Sequence, residues 1–225
     1  MTGGNVGMRQ VSLRESKQFL LRHPGDHRGL LNKLRTACRL YICPFEDLLN
    51  LLLEHQRVLD IGCGTGAFLN LVAQFRKPIA IGGLEMKPAL AERAQGWLEH
   101  NSRHVSARIE VYDGVTLPMW VRDYDYIFLI DVLHHVHRAA QMPLLKELFN
   151  HMRPGATLIL KDIDAESFWS AFNVLHDLIA SRQMARQCVA TELEQQLREI
   201  GFHTQGVARR RRFVYPHYTI VCERP

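Results

Sequence analysis

The chain lacks any long uninterrupted apolar stretch. No segment of its 225 residues approaches the roughly 20 consecutive apolar residues that a membrane-spanning helix needs. Residues 1–15 also lack the apolar centre and cleavage pattern of a secretory signal. They are small and polar, and we expect them to be disordered. The sequence therefore predicts a protein without a membrane span.

Cysteine is scarce, and its spacing is uninformative for pairing. The five cysteines form no Cys-x-x-Cys pair, and their number is odd. Disulfide frameworks normally use an even number of cysteines, and structural zinc sites normally take their ligands from close pairs. The pattern favours reduced thiols in a cytoplasmic protein, and it argues against a metal site.

Positive charge is concentrated in one place. The formal net charge is +5, and the run Arg209–Arg212 alone contributes four positive charges. A nucleic-acid-binding domain usually spreads its basic residues over a face, so nucleic acid is not an expected partner. We expect the run to form a basic connection between the last two strands. Binding of a phosphate, an acidic carrier protein or RNA by this run stays open.

The hydrophobic pattern changes at Arg57. Residues 16–56 have helical periodicity and predict a helical N-terminal cap. Residues 57–225 alternate short apolar runs with helices, which is typical of parallel strands buried on both faces. Right-handed crossovers then give an α/β fold with a doubly wound, mostly parallel sheet. We expect seven strands, the last of them antiparallel.

A glycine-rich turn follows the first predicted strand, in the segment Asp60-Ile61-Gly62-Cys63-Gly64-Thr65-Gly66. Glycines permit positive φ and close approach of a ligand to the backbone, and the next helix directs unpaired N–H groups to the same place. Gly62, Gly64 and Ala67 also satisfy the dinucleotide pattern G-x-G-x-x-G/A. Glu85 ends the second strand, where an acid binds ribose hydroxyls. Because both NAD and S-adenosylmethionine carry a ribose diol, Glu85 does not choose between them.

Over roughly residues 57–222 the chain resembles the class I S-adenosylmethionine-dependent methyltransferases. The segment DIGCGTG has the form of that family's first motif, and Glu85 and Asp113 match its acids after the second and third strands. The segment Asp131–His135 (DVLHH), the Pro-Gly before the fifth strand and the HYTIVCE strand complete the match in order. The resemblance favours S-adenosylmethionine over NAD as the cofactor.

The resemblance also implies roles for individual residues. The glycines face the methionine part of the cofactor, Glu85 binds the ribose, and Asp113 accepts from the adenine amino group. The full expected set of cofactor-binding residues is Asp60, Gly62, Gly64, Gly66, Glu85, Met86, Asp113, Gly114 and Asp131. Acids at strand ends also cap the segment that follows them, which is the alternative for each carboxylate.

The methyl acceptor should lie at the carboxyl ends of the fourth and fifth strands, where open α/β sheets bind ligands. His134 and His135 are the candidate catalytic bases, since histidine accepts protons near neutral pH; either one could instead hold the loop in shape. Lys161, Asp162 and Trp169 are candidate substrate-binding residues. The alternatives are an ion pair at the sheet rim for Lys161 and Asp162, and core packing for Trp169.

The sequence thus predicts a methyltransferase that acts on a small-molecule or carrier-bound metabolite. The alternatives are an RNA or protein methyltransferase that uses residues 209–212, and a binding protein that keeps the cofactor site without catalysis. Oxygen, nitrogen and carbon acceptors are not distinguished, and neither is the oligomeric state.

Overall fold

A computed structural model describes residues 9–23, 42–102, 105–163, 189–212 and 215–225. Within these ranges the strands are β1 (Arg57–Ile61), β2 (Ala80–Glu85), β3 (Ser106–Val111), β4 (Tyr126–Ile130), β5 (Thr157–Ile163), β6 (His203–Arg212) and β7 (Tyr215–Glu223). The α-helices are α1 (Leu13–Arg22), α2 (Phe45–Leu51), α3 (Ala67–Arg76), α4 (Pro88–Asn101), α5 (Arg138–His151) and α6 (Ala190–Ile200). Short 3₁₀ turns cover Met119–Asp123 and Leu133–His135. No helix in the described ranges is both long and apolar enough to span a membrane.

The strands form a single mixed sheet in the order β3-β2-β1-β4-β5-β7-β6. Strands β1 to β5 pair in parallel, whereas β7 runs antiparallel to both of its neighbours, β5 and β6. The predicted seven-stranded, doubly wound sheet with an antiparallel last strand is confirmed.

Helices cover both faces of the sheet, which explains the continuous apolar runs. Alternate strand residues point to opposite faces. Leu158 and Leu160 accordingly pack with α5 and α6 on one face. Ile159 packs on the other face with the helices α2 and α3. All three side chains are fully buried.

Helix α1 begins three residues before the predicted boundary between disordered N-terminus and helical cap. The Ser12 hydroxyl accepts from the Glu15 N–H, and the Glu15 carboxylate accepts from the Ser12 N–H, which forms a capping box. Val11 is buried, and its backbone N–H and C=O both bond to the Asn50 side chain. The prediction of disorder is therefore wrong for residues 9–15.

The arginine run lies on β6 and not in a connection between strands, so that prediction is also wrong. The pairing of β6 with β7 extends to Arg212, opposite Tyr215. Arg210 forms an ion pair with Asp47 of α2, and Arg212 forms one with Glu46 of the same helix. Strand alternation places these two arginines on one face. Half of the run therefore attaches α2 to the edge of the sheet.

Candidate cofactor and acceptor site

The turn after β1 has a backbone that only glycine adopts without strain. Gly62 has φ of +79°, Gly64 +57° and Gly66 +79°. The Gly62 N–H donates to the Leu84 carbonyl at 2.7 Å, which ties the turn to the end of β2. A Cβ at Gly62 would lie 2.5 Å from Val132 Cγ2. Conformation and space both require glycine here.

The last glycine of the turn starts helix α3. A Cβ on Gly66 would lie 3.0 Å from the Cβ of Ala94 in α4, so this glycine lets the two helices approach. No side chain caps the N-terminus of α3. Its first N–H groups point out of the helix start toward the carboxyl end of β1, where a polar ligand can bond to them.

Glu85 connects the end of β2 to the glycine turn. The carboxylate is buried; Oε2 accepts from the Gly64 N–H at 2.9 Å, and Oε1 accepts from the Lys87 N–H at 3.0 Å. Each carboxylate oxygen can accept a second hydrogen bond. The structure places Glu85 beside Gly64, and its role toward a ribose stays a prediction.

The loops after β2 and β3 meet at Met86 and Gly114. A Cβ on Gly114 would lie 2.8 Å from the Met86 sulfur, and Met86 itself is 57% exposed. Asp113 accepts from the N–H groups of Val115 and Thr116 at 2.8 and 2.7 Å. These bonds lower the pKa of the Asp113 carboxyl. Asp113 thus caps the loop that follows it, which is the alternative role that the sequence left open. Its contact with adenine stays a prediction.

Asp131 and Lys161 form an ion pair at the ends of β4 and β5. Lys161 Nζ is 2.6 Å from Asp131 Oδ1, and the lysine side chain is 0% exposed. Burial lowers the pKa of Lys161, but Asp131, together with Cys43 and Asp162, outweighs the effect of burial, and the net shift is upward. The backbone of Asp131 has φ of +55°, and its N–H donates to the Lys161 carbonyl of β5 at 2.9 Å. Lys161 therefore stays charged within the rim ion pair.

Asp60 is also buried, at the end of β1. Its role in binding the cofactor stays a prediction.

His134 and Asp162 form a second buried pair at the same end of the sheet. His134 Nδ1 is 2.5 Å from Asp162 Oδ1, and the His134 backbone N–H donates to Asp162 Oδ2 at 3.1 Å. Their side chains are 4% and 3% exposed. A carboxylate at Nδ1 favours the proton there, which leaves a lone pair on Nε2. His135 is exposed, and its ring lies 3.9 Å from that of His134.

The ordered set of turn, acids and histidine pair agrees with a sequence comparison. A family model described as a methyltransferase domain matches residues 33–205. The chain belongs to the class I S-adenosylmethionine-dependent methyltransferases. Its cofactor is therefore S-adenosylmethionine, which decides against NAD.

Individual relatives of this methyltransferase differ in their acceptors. A tRNA U34 carboxymethyltransferase of Desulfotalea psychrophila is 27% identical over 111 residues, which span 48% of this chain and 33% of the relative. An O-methyltransferase of Aspergillus sclerotiorum is 25% identical over 150 residues, which span 65% of this chain and 54% of the relative. The chain thus spans about a third to a half of the length of these relatives.

The fold of the methyltransferase is shared with a solved magnesium protoporphyrin IX methyltransferase from Synechocystis PCC 6803. The TM-score is 0.69 at 16% identity, and the match covers 95% of each chain. At this identity the likeness shows the fold alone.

Two further points concern the predicted site of the methyltransferase. Trp169 lies outside the described residues. Across the described ranges, no group of three or more His, Cys, Asp or Glu side chains is placed to hold a metal ion.

Sequence reasoning missed His217. This residue lies on β7 opposite Ile163, and its side chain is buried. Its Nε2 is 2.9 Å from the Ile42 carbonyl oxygen. Burial, together with the charge of Lys161, lowers the pKa of His217 to about 4. Only the strand register brings His217 to the carboxyl end of β5, so a linear motif could not have revealed it.

Proposed function

We propose that this methyltransferase transfers the methyl group to a hydroxyl of a small-molecule or carrier-bound metabolite, with His134 as general base. The observation that supports this most is the buried pair of His134 and Asp162. The pair lies where the carboxyl ends of β4 and β5 meet. A histidine oriented by a carboxylate is the usual arrangement for removing a proton from a hydroxyl.

The chain's residues fit the cofactor chemically. The turn of Gly62, Gly64 and Gly66 offers bare backbone, Glu85 offers oxygens for a ribose diol, and exposed Met86 offers an apolar surface for adenine. Asp60, Asp113, Gly114 and Asp131 complete the proposed cofactor site. When bound, S-adenosylmethionine supplies an electrophilic methyl group on a sulfonium.

In the proposed step, Nε2 of His134 would accept the proton of the acceptor hydroxyl as its oxygen takes the methyl group; the methyl–sulfur bond would break with its electron pair left on sulfur, and S-adenosylhomocysteine would be the leaving product. Asp162 holds the proton on Nδ1, so that the Nε2 lone pair faces the acceptor. The carboxylate also stabilises the imidazolium that results. Base catalysis of this kind contributes about 10²- to 10⁴-fold in rate. Lys161 contributes through its pair with Asp131, which fixes the positive-φ turn beside the acceptor.

The small-molecule acceptor is supported by the O-methyltransferase relative and by the arrangement of the arginine run. Arg210 and Arg212 are engaged with the acids of α2, so half of the run's charge is compensated within the protein. The tRNA-modifying relative supports the RNA alternative. In the described ranges Cys43, Cys63 and Cys222 form no disulfide, and we propose a cytoplasmic location.

The acceptor class can be tested with S-adenosylmethionine that carries carbon-14 on its methyl group. The full chain is incubated separately with a small-molecule cell extract, bulk tRNA and extracted protein. We expect label in the small-molecule pool. Label in tRNA alone, or label that stays on protein after treatment that releases carrier-bound metabolites, would replace the proposal with the macromolecular alternative. Tight cofactor binding without transfer to any pool would indicate a binding protein.

The base can be tested by comparing the two adjacent histidines. His134→Gln should lower kcat by about 10²- to 10⁴-fold without changing cofactor affinity, and Asp162→Asn should act in the same direction. His135→Gln is the matched control, because its ring is exposed whereas the His134 ring is buried against Asp162. Equal losses for His134→Gln and His135→Gln would contradict the assignment.

A further inference from the structure

His217 lies at the acceptor end of the sheet although it belongs to the last strand. It pairs with Ile163, and Thr219 pairs with Lys161, in the antiparallel ladder of β5 and β7. Residues that lie opposite each other share a face. His217 is therefore on the same face as Lys161 and two positions further toward the carboxyl end of β5. The strands β1, β2 and β4, which lead into the glycine turn, Glu85 and Asp131, end at the same edge of the sheet.

The hydrogen bond to Ile42 determines which ring nitrogen carries the proton. A carbonyl oxygen can only accept, so Nε2 must donate to it at 2.9 Å. In the neutral ring Nδ1 then holds a lone pair. Nδ1 is buried and has no hydrogen-bond partner within the described structure, while the residue is only 2% exposed. Buried polar atoms without a partner are rare, and each requires an explanation.

The surroundings of His217 keep its ring neutral. Burial and the Lys161 ammonium disfavour the imidazolium, and they outweigh the carboxylates of Asp131 and Asp162, so that the pKa falls to about 4. At neutral pH the Nδ1 atom can accept a hydrogen bond but cannot donate one. A carboxylate or phosphate oxygen could not satisfy it, because neither has a hydrogen to give.

We propose that His217 determines acceptor specificity, with Nδ1 accepting a hydrogen bond from a neutral O–H or N–H of the methyl acceptor that is not the methylated group. This inference rests on the proposed function, since it places the acceptor at the carboxyl end of β5, where His217 and the pair of His134 and Asp162 both lie. It assigns the substrate class: the acceptor carries a second, uncharged hydrogen-bond donor. The competing explanation is a buried water on Nδ1.

Two substitutions separate the two nitrogens. In His217→Gln the amide reaches the Nε2 position and retains a donor to Ile42, but no atom replaces Nδ1. In His217→Asn the amide oxygen lies near the Nδ1 position, and the bond to Ile42 is lost. His203→Gln, at an exposed position on the neighbouring strand, is the matched control.

For an acceptor identified in the labelled small-molecule pool, His217→Gln should raise KM by about tenfold, the equivalent of one hydrogen bond of about 1.4 kcal/mol. Its Tm and affinity for S-adenosylhomocysteine should match those of the wild type. His217→Asn should show the reverse: a lower Tm and a KM near wild type. An unchanged KM in His217→Gln would overturn the inference, while transfer by the wild type would still support the proposed function.

A second measurement does not depend on turnover. The full chain, labelled with nitrogen-15 at histidine and saturated with S-adenosylhomocysteine, is titrated with phenol and with cyclohexanol. Their methyl ethers, anisole and methoxycyclohexane, are matched probes without a donor. We expect at least one alcohol, and neither ether, to shift the Nδ1 resonance of His217. If neither alcohol shifts the Nδ1 resonance, or if the ethers shift it equally, a buried water is the remaining explanation for Nδ1 and the inference is overturned. A donor-specific shift without transfer to any pool would contradict the proposed function alone.

Discussion

Substitution of Gly62 by alanine tests the argument that the cofactor turn needs glycine for two separable reasons. The first is conformational: φ is +79°, and an L-residue in this region costs about 1–2 kcal/mol. The second is steric: the new Cβ would lie 2.5 Å from Val132 Cγ2, whereas carbon atoms prefer roughly 3.5–4.0 Å. Overpacking of this kind costs about 1–3 kcal/mol. We expect Gly62→Ala to lose about 2–5 kcal/mol of unfolding free energy.

Gly155 is a matched control for the conformational part. Its φ is +78°, and nothing lies within 4 Å of a Cβ built on it. Gly155→Ala should therefore lose only the conformational cost of about 1–2 kcal/mol. Adding Val132→Ala to Gly62→Ala should restore most of the steric part, which a double-mutant cycle measures.

The assay is urea unfolding of the full chain with and without S-adenosylhomocysteine. Gly62→Ala should also weaken the stabilisation by this ligand, because the turn must move to accommodate the methyl group. Equal losses of stability in Gly62→Ala and Gly155→Ala, with no gain from Val132→Ala, would refute the steric argument.

Three further predictions concern buried charge. Lys161→Met should lower the unfolding free energy by about 3 kcal/mol because it leaves Asp131 without its counter-charge; adding Asp131→Asn, which tolerates positive φ, should recover part of this loss in urea unfolding. Arg212→Met should lose about 3 kcal/mol, because the buried Glu46 carboxylate of α2 then keeps only the more distant Arg210, 3.9 Å away, whereas Arg211→Met, at an exposed position, should lose under about 0.5 kcal/mol. The folded-state pKa of His217 is about 4, below the unfolded value of 6.5. At a pH between these two values, the unfolded chain binds a proton at this histidine more tightly than the folded chain does. Stability should thus fall by about 3 kcal/mol as the pH drops from 6.5 to 4, and Tm measurements on His217→Gln should show a shallower fall.

The sheet was predictable because its signals are local. Each parallel strand appears as a short apolar run, and the run RVLDI leads directly into the glycine turn. The final antiparallel pairing followed from two adjacent strands without room for a crossover. The early start of α1 was also readable, since Ser12 and Glu15 have the spacing of a capping box.

The placement of the arginine run could not be read from local signals. A run of four positive charges is typical of a solvated turn. Its place on β6 depends on contacts with the acids of α2, which lie more than 150 residues away in the chain. Ion pairs with Glu46 and Asp47 allow Arg210 and Arg212 to sit on a strand. The energy of the tertiary contact outweighs the low strand preference of charged residues.

The site was predictable in its residues but not in its pairings. His134 and Asp162 were candidates for separate roles, and their hydrogen bond depends on where the loops after β4 and β5 turn. Lys161 was a candidate for the substrate or for an ion pair, and its complete burial favours the ion pair. His217 gave no sequence signal because a lone histidine in an apolar strand has no characteristic spacing.

The central claim, a S-adenosylmethionine site built on the glycine turn and Glu85, is tested most directly by titration calorimetry of the full chain. We expect S-adenosylmethionine and S-adenosylhomocysteine to bind with one-to-one stoichiometry and NAD not to bind. Glu85→Ala should weaken the affinity for both ligands, because it removes the proposed ribose contacts and the bond to Gly64. Binding of NAD alone, or an unchanged affinity in Glu85→Ala, would contradict this account.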